Sequence, residues 1–249
     1  MWGYSPLLRR LGQDFGFVPL VIGACVALYL ATLLTDPQGV RAGGMMSFFG
    51  PSTQSLFLFG ASGAVPTFGF GRWWTLLSAG WLHGGLLHIL FNMLWIRQLA
   101  PATAELYGAP RMIIIYNISS AAGFLLSSAM GFFFAFVPIP FLRGAQFTIG
   151  ASAAIFGLLG ALVYYGRRSG SSYIGGQAKT YAIILFVFGF VMPGVDNYAH
   201  LGGFFGGYAL ARWLDPLEPE RIDHVVAALA CLLLSALAVA LSLYKGIAG

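Results

Sequence analysis

Seven apolar stretches of about 16 to 21 residues recur along this chain, and they restrict its fold more than any other feature. They are Phe17–Leu34, His83–Leu99, Pro110–Met130, Ile149–Tyr165, Thr180–Val195, Tyr198–Leu214 and Val225–Tyr244. A bilayer core is crossed by about 20 apolar residues in a helix. Between them the 249 residues carry only 13 basic and 8 acidic side chains, 8% of the chain, against 58% hydrophobic ones. So little charge cannot cover a water-soluble surface, since ordinary soluble domains are about 25% charged. A soluble globular protein, a disordered chain and a disulfide scaffold are therefore excluded. Each span is read as a helix, because an open strand edge cannot survive in hydrocarbon. The fold class is an all-α membrane protein. Cys25 and Cys231 both lie in apolar segments and read as packing.

The only strongly polar linker, Asp215 to Asp223, sets the seventh helix apart. The organisation is therefore a tail at 1–16, a six-helix core at 17–214 and a linker with a seventh helix at 215–249. Within the core, residues 35–82 form a long, glycine-rich and apolar loop, expected to lie in the outer interface. Arg9 and Arg10 precede the first span, which is long for a signal peptide and reads as a retained anchor. With the N-terminus in the cytoplasm, nine basic residues fall inside, among them Arg9, Arg10, Arg111, Arg167 and Arg168. Four fall outside: Arg41, Arg72, Arg143 and Lys245. That excess favours N-inside and C-outside. The net charge of +5 is scattered beside apolar runs, so it does not point to nucleic acid.

In this orientation the second, fourth and sixth spans all begin at the outer face. The second carries His83, His88 and Asn92 there, with His88 and Asn92 four apart on one helix face. The fourth begins with Gly150 and Ser152, and the sixth with Asp196 and His200. Polar groups inside a membrane are costly and mark functional positions. Small residues at 150, 154, 157 and 161 on the fourth span, and at 203 and 207 on the sixth, let two backbones approach closely. That packing brings Ser152 within hydrogen-bond reach of His200, the minimum nucleophile and base for acyl transfer. Asp196 lies only four residues before His200, so a dyad is favoured over a triad. Donors for an oxyanion are available from Asn92, His88 and the free Ser152 amide at a helix N-terminus.

Three segments carry a resemblance. GASAAIFG at 150–157, AHLGG at 199–203 and HGGLLHILFN at 83–92 resemble the signature regions of rhomboid intramembrane serine proteases. Their order and placement match from about residue 72 to 214, and the Arg72-Trp73-Trp74 stretch resembles the family's first-loop region. The resemblance implies a rhomboid-like bundle of six transmembrane helices plus one C-terminal helix. It implies Ser152 as nucleophile, His200 as general base, and His88 and Asn92 lining an oxyanion hole with the Ser152 amide. His83 is expected near a water-filled cavity, and Gly150 at a close approach in the active-site turn. Ala153 departs from a glycine common in the family, and Phe156 stands where some members stack a tyrosine under the histidine. The implied substrates are single-span transmembrane proteins, met in the membrane among lipids. Access is expected between the second and fifth spans, past Phe186 and Phe190, with residues 192–197 as a cap.

Other readings compete with this one. Ser62, in GASG at 60–63, fits a nucleophile pattern but is followed by Pro66 and by no helix of small residues. Glu105 is expected to anchor a loop or pair with Arg111, and His224 to lie at the cytoplasmic interface. A metalloprotease is disfavoured because no H-E-x-x-H motif is present, and no cofactor is expected. The alternatives are a catalytically inactive rhomboid-like protein that binds membrane helices, and a solute channel. A prokaryotic cell membrane is the expected location, and the oligomeric state is open.

Overall fold

The computed structural model describes residues 14–139 and 142–248, so Arg9, Arg10 and most of the expected N-terminal tail lie outside the described residues. Helix α1 spans Phe17–Thr35. The Asp14 carboxylate accepts from Val18 N at 2.7 Å at its start, and Asp36 with Pro37 stops it. Two short helices follow, α2 (Thr53–Phe59) and α3 (Thr75–Ser78). Then come α4 (Leu86–Tyr107), α5 (Ala109–Phe133), α6 (Ser152–Ser169), α7 (Ser172–Val191), α8 (Asn197–Trp213) and α9 (Ile222–Ala248). Seven of the described helices reach 17 residues, one at each of the seven apolar stretches.

Four of them, α1, α5, α7 and α9, are long and apolar enough to cross a membrane. The segment Thr75–Trp81 and α4 pass the same test together, bent by 93° between them. Helices α6 and α8 do not pass alone. They hold the serine, the histidine and most of the close-contact glycines, and they are sheltered by their neighbours. The start of α7 comes eight residues before the expected Thr180. The Ser171 hydroxyl accepts from Ile174 N at 3.4 Å, and this cap carries the helix through a stretch that is polar enough to read as a loop.

The core is built around α5, which packs on both α6 and α8. Its first turn follows Gly108, whose positive φ of 85° turns the chain straight from α4 into α5. Helices α6 and α8 meet through their small residues. A Cβ on Gly203 would lie 2.1 Å from the Ala153 carbonyl oxygen, and one on Gly207 2.0 Å from that of Gly157. From the other side, a Cβ on Gly160 would lie 2.1 Å from the Phe204 carbonyl oxygen. Any larger residue would pry the pair apart; the expected Gly203 and Gly207 of α8 are in the contact, but on α6 it runs along Ala153, Gly157 and Gly160, sharing only Gly157 with the expected stripe.

The region 35–82 is not an open loop. Its second half folds into the body of the protein against α5 and α9. Ser62, Thr67, Thr75 and Ser78 are all fully buried there. The reason is hydroxyl pairing: Ser62 Oγ and Thr67 Oγ1 are 3.1 Å apart, and Ser78 Oγ donates to Gly60 O at 2.7 Å. Buried hydroxyls with partners replace the water such a loop would otherwise need.

Of the two roles expected of Glu105, the pairing with Arg111 is not met. The guanidinium donates to the carbonyls of Asp215 at 2.6 Å and Glu218 at 3.0 Å, and to Tyr107 O, so it clasps the linker before α9. Among the described residues Glu105 makes no ion pair. In that linker, burial raises the Glu220 carboxyl above its ordinary range, with Arg111 pulling the other way. Asp215 is held low, first by the Leu217 amide and then by Arg168, which donates to it at 2.9 Å.

Candidate active site

Ser152 is the first residue of α6, and its amide has no partner within the helix. The turn before it depends on Gly150, at φ +119°, whose N–H donates to Ala79 O at 3.0 Å. A β-bridge between Ser62 and Thr148 fixes the chain just upstream. His200 lies in the first turn of α8 and is 4% exposed. The Nε2 of His200 and the Oγ of Ser152 are 2.9 Å apart. The Phe156 ring, one turn along α6 from Ser152, stacks on the imidazole at 4.2 Å between centroids and 15° between planes. This is the position at which a stacked aromatic was expected.

For Nε2 to take a proton from Ser152, Nδ1 must carry the other one. His200 Nδ1 is buried and has no hydrogen-bond partner among the described residues. Asp196 is committed elsewhere. One of its oxygens caps α8 by accepting from Ala199 N at 3.0 Å, and the other accepts from Ser127 Oγ at 2.6 Å. The site is therefore a pair without a carboxylate behind it.

Across from Ser152, α4 presents His88 and Asn92. The Gly84 amide donates to His88 Nδ1 at 3.2 Å. That bond makes Nδ1 an acceptor and leaves the proton on Nε2, which faces Gly150. Asn92 Nδ2 donates to His88 O at 2.7 Å, which uses one of its two protons, while its Oδ1 is unpartnered. His88 and Ser152 are half-buried and open onto the same cavity of about 1280 Å³, which Asn92, Phe156 and His200 also line.

His83 lies next to the cavity-lining His88 rather than on the cavity surface. It is fully buried and meets His88 edge-on at 5.2 Å, behind the cavity wall. It supports His88 and does not line the cavity. Ser62 is remote from this arrangement, since its hydroxyl partners are Thr67, Thr75 and Ser128. Ala153 is fully buried, with its carbonyl against Gly203. Sequence reasoning missed Trp95, which lines the cavity and meets Tyr181 of α7 edge-on at 5.3 Å. The spacing 88, 92, 95 on one helix face was the signal available. No three His, Cys, Asp or Glu side chains converge as a metal cage among the described residues.

The Rhomboid domain family model matches residues 70–216, which hold every side chain of this constellation. The chain belongs to the rhomboid family. Among curated proteins this rhomboid is 33% identical over 199 residues to Rhomboid protease GluP of Bacillus subtilis (strain 168), covering 79% of this chain and 36% of that protein. It is 31% identical over 212 residues to RHOMBOID-like protein 4 of Arabidopsis thaliana, covering 78% and 51%. It is also 30% identical over 145 residues to the putative rhomboid protease YdcA of Bacillus subtilis (strain 168), covering 57% and 67%. The rhomboid thus spans about a third to a half of the length of the first two. With its apolar helices, it is an integral membrane protein.

Proposed function

We propose that this rhomboid is an intramembrane serine endopeptidase that cleaves single-span transmembrane substrates through a Ser152–His200 dyad. The observation that carries the reading is the 2.9 Å approach of Ser152 Oγ to His200 Nε2, made across two helices inside a large cavity. Its relation to Rhomboid protease GluP supports the same reaction class.

The chemistry follows from the geometry. His200 Nε2 takes the Ser152 proton as Oγ bonds to the scissile carbonyl carbon. The developing oxyanion meets the Ser152 amide, the His88 Nε2 proton and the free proton of the Asn92 amide. Collapse breaks the C–N bond, and the imidazolium returns its proton to the leaving amine. A water then repeats the sequence on the acyl-enzyme and frees Ser152. Helices α1, α4, α5, α6, α7 and α8 supply the six spans of the core, with α4 preceded by its bent partner, and α9 is the additional one. The N-terminus is cytoplasmic and the C-terminus outside, so the site opens toward the outer face.

A substrate helix reaches the cavity between α4 and α7. Phe91 and Trp95 of α4 and Phe186 and Phe190 of α7 line that side, and residues 192–197 cover it. The substrate must unwind there, because a helical backbone withholds its carbonyl from a nucleophile.

The test is labelling of the full-length protein by a fluorophosphonate probe, together with cleavage of a reporter transmembrane helix. Both should occur in the parent and vanish in a folded Ser152→Ala variant. A parent protein that neither labels nor cleaves would remove the reading.

A further inference from the structure

The last helix reaches the active-site turn through the folded part of the 35–82 region. Ser242 of α9 is fully buried, although it sits near the end of the chain. Its hydroxyl accepts from Trp74 Nε1 at 2.9 Å, and its carbonyl accepts from Arg72 Nη2 at 3.3 Å. The other Arg72 terminal nitrogen donates to Phe57 O at 2.8 Å, while the guanidinium lies 4.3 Å above the Phe57 ring. So Arg72 joins α9 to the end of α2, and Trp74 ties α9 to the start of α3. The fit is tight, since a Cβ on Gly60 would lie 2.5 Å from Ser242 Oγ.

The same segment continues into the site. The Thr75 amide and hydroxyl both bond Arg72 O, at 3.0 and 2.7 Å, and begin α3. Directly after α3, Ala79 O accepts from Gly150 N at 3.0 Å, two residues before the nucleophile. Gly60 O holds Ser78 at the end of α3, and Ser62 bridges Thr148. Between the Ser242 contacts and the Ser152 backbone there is only one short, hydrogen-bonded segment.

We propose that α9 is a positioning element for the nucleophile. Its Ser242, acting through Trp74 and Arg72, fixes α3 and thereby the Gly150 turn that aims Ser152 at His200. A displacement of about 1 Å in such a geometry costs as much as a hundredfold in rate. Removing one outlying hydrogen bond displaces the turn by less. The inference rests on Ser152 being the nucleophile.

The same helix supplies its own control. Ser235, two turns earlier, donates to Asn117 Oδ1 on α5 at 3.2 Å and is buried, but it is not connected to the loop. In purified full-length protein, the maximal rate and half-saturation of fluorophosphonate labelling are measured for Ser242→Ala, Trp74→Phe, their combination and Ser235→Ala, with thermal melting alongside. Ser242→Ala and Trp74→Phe should each lower the maximal rate about three- to tenfold, with half-saturation unchanged. The combination should be no slower than either alone, because both remove the same bond. Ser235→Ala should lower the melting temperature and leave the rate intact. Trp74→Phe keeps an aromatic ring while removing the indole N–H, so it reports on the bond even where Ser242→Ala folds poorly. Parent-like rates in both single variants, or an equal loss in Ser235→Ala, would overturn the inference while leaving the hydrolase reading intact. A parent that is not labelled at all would overturn that reading, and this one with it.

Discussion

Gly150→Ala isolates the turn that presents Ser152, the proposed nucleophile. Two effects act at this position. The φ of +119° is a conformation that L side chains rarely adopt, and holding an alanine there costs about 1–3 kcal/mol. The added Cβ would also lie 2.6 Å from His88 Nε2. The ring must retreat about 0.8 Å to reach an ordinary 3.4 Å contact, and this takes the His88 proton away from the oxyanion. Losing one such donor costs about 10²–10³ in rate, so a shifted one should cost up to about a hundredfold. Gly170 provides the comparison. It has a positive φ of 77° but open space around a Cβ, so Gly170→Ala carries strain of about 1–2 kcal/mol and no clash. Thermal melting and fluorophosphonate labelling of both variants separate the two effects. Both should melt lower, and only Gly150→Ala should label about a hundredfold more slowly. Combining it with His88→Ala should recover part of the lost melting temperature. If Gly150→Ala labels as fast as Gly170→Ala, the role assigned to the contact between the turn and His88 is wrong.

Other outcomes follow from single contacts. Phe156→Leu removes the ring stacked on His200 and should slow cleavage of a reporter helix about three- to tenfold, while Phe156→Tyr should stay near the parent. Ser62→Ala should cost about 1 kcal/mol in stability and should not abolish labelling, because that hydroxyl belongs to a buried cluster and not to the labelled site. Phe186→Ala or Phe190→Ala loosens an edge-on pair on α7 and should speed reporter cleavage about two- to fivefold with labelling unaltered; an unchanged cleavage rate would count against access between α4 and α7. Glu220 gives a pH prediction. Its folded carboxyl titrates above the ordinary 4.5, so the folded state holds that proton more tightly than the unfolded one. Its contribution is full below that pH and is lost as pH rises through the folded value. The melting temperature should fall over that window, and Glu220→Gln should flatten the fall. An unaltered slope would refute the assignment.

The part of this molecule most legible in the sequence is the part made of periodic contacts. The small residues of α6 and α8 fall at helical spacing, so the meeting of Ser152 with His200 could be argued before any coordinates. His88 and Asn92, four apart, likewise share the cavity. Contacts without a period were not legible. Nothing in the spacing of Ser62, Thr67, Thr75 and Ser128 announces a cluster, because its members come from three separate segments. The pairing of Arg72 with Ser242 joins residues 170 apart. Arg111 illustrates a different gap. Its nearest carboxylate in sequence is Glu105, yet it binds backbone carbonyls of a linker that only the fold brings near. His83 was expected from the resemblance near the water-filled space, and its full burial beside His88 depends on the sharp bend before α4.

The glycine contacts between α6 and α8 divide the protein into a fixed part and an adjustable part. Two backbones that touch with no room for a methyl group cannot slide or tilt without losing van der Waals contact along their whole length. On the access route proposed above, the accommodation made for an incoming helix falls on α7 and residues 192–197, which bear neither Ser152, His200, His88 nor Asn92. Under that proposal, substitutions in α7 would retune which membrane helices are admitted while leaving the proposed Ser152–His200 pair untouched.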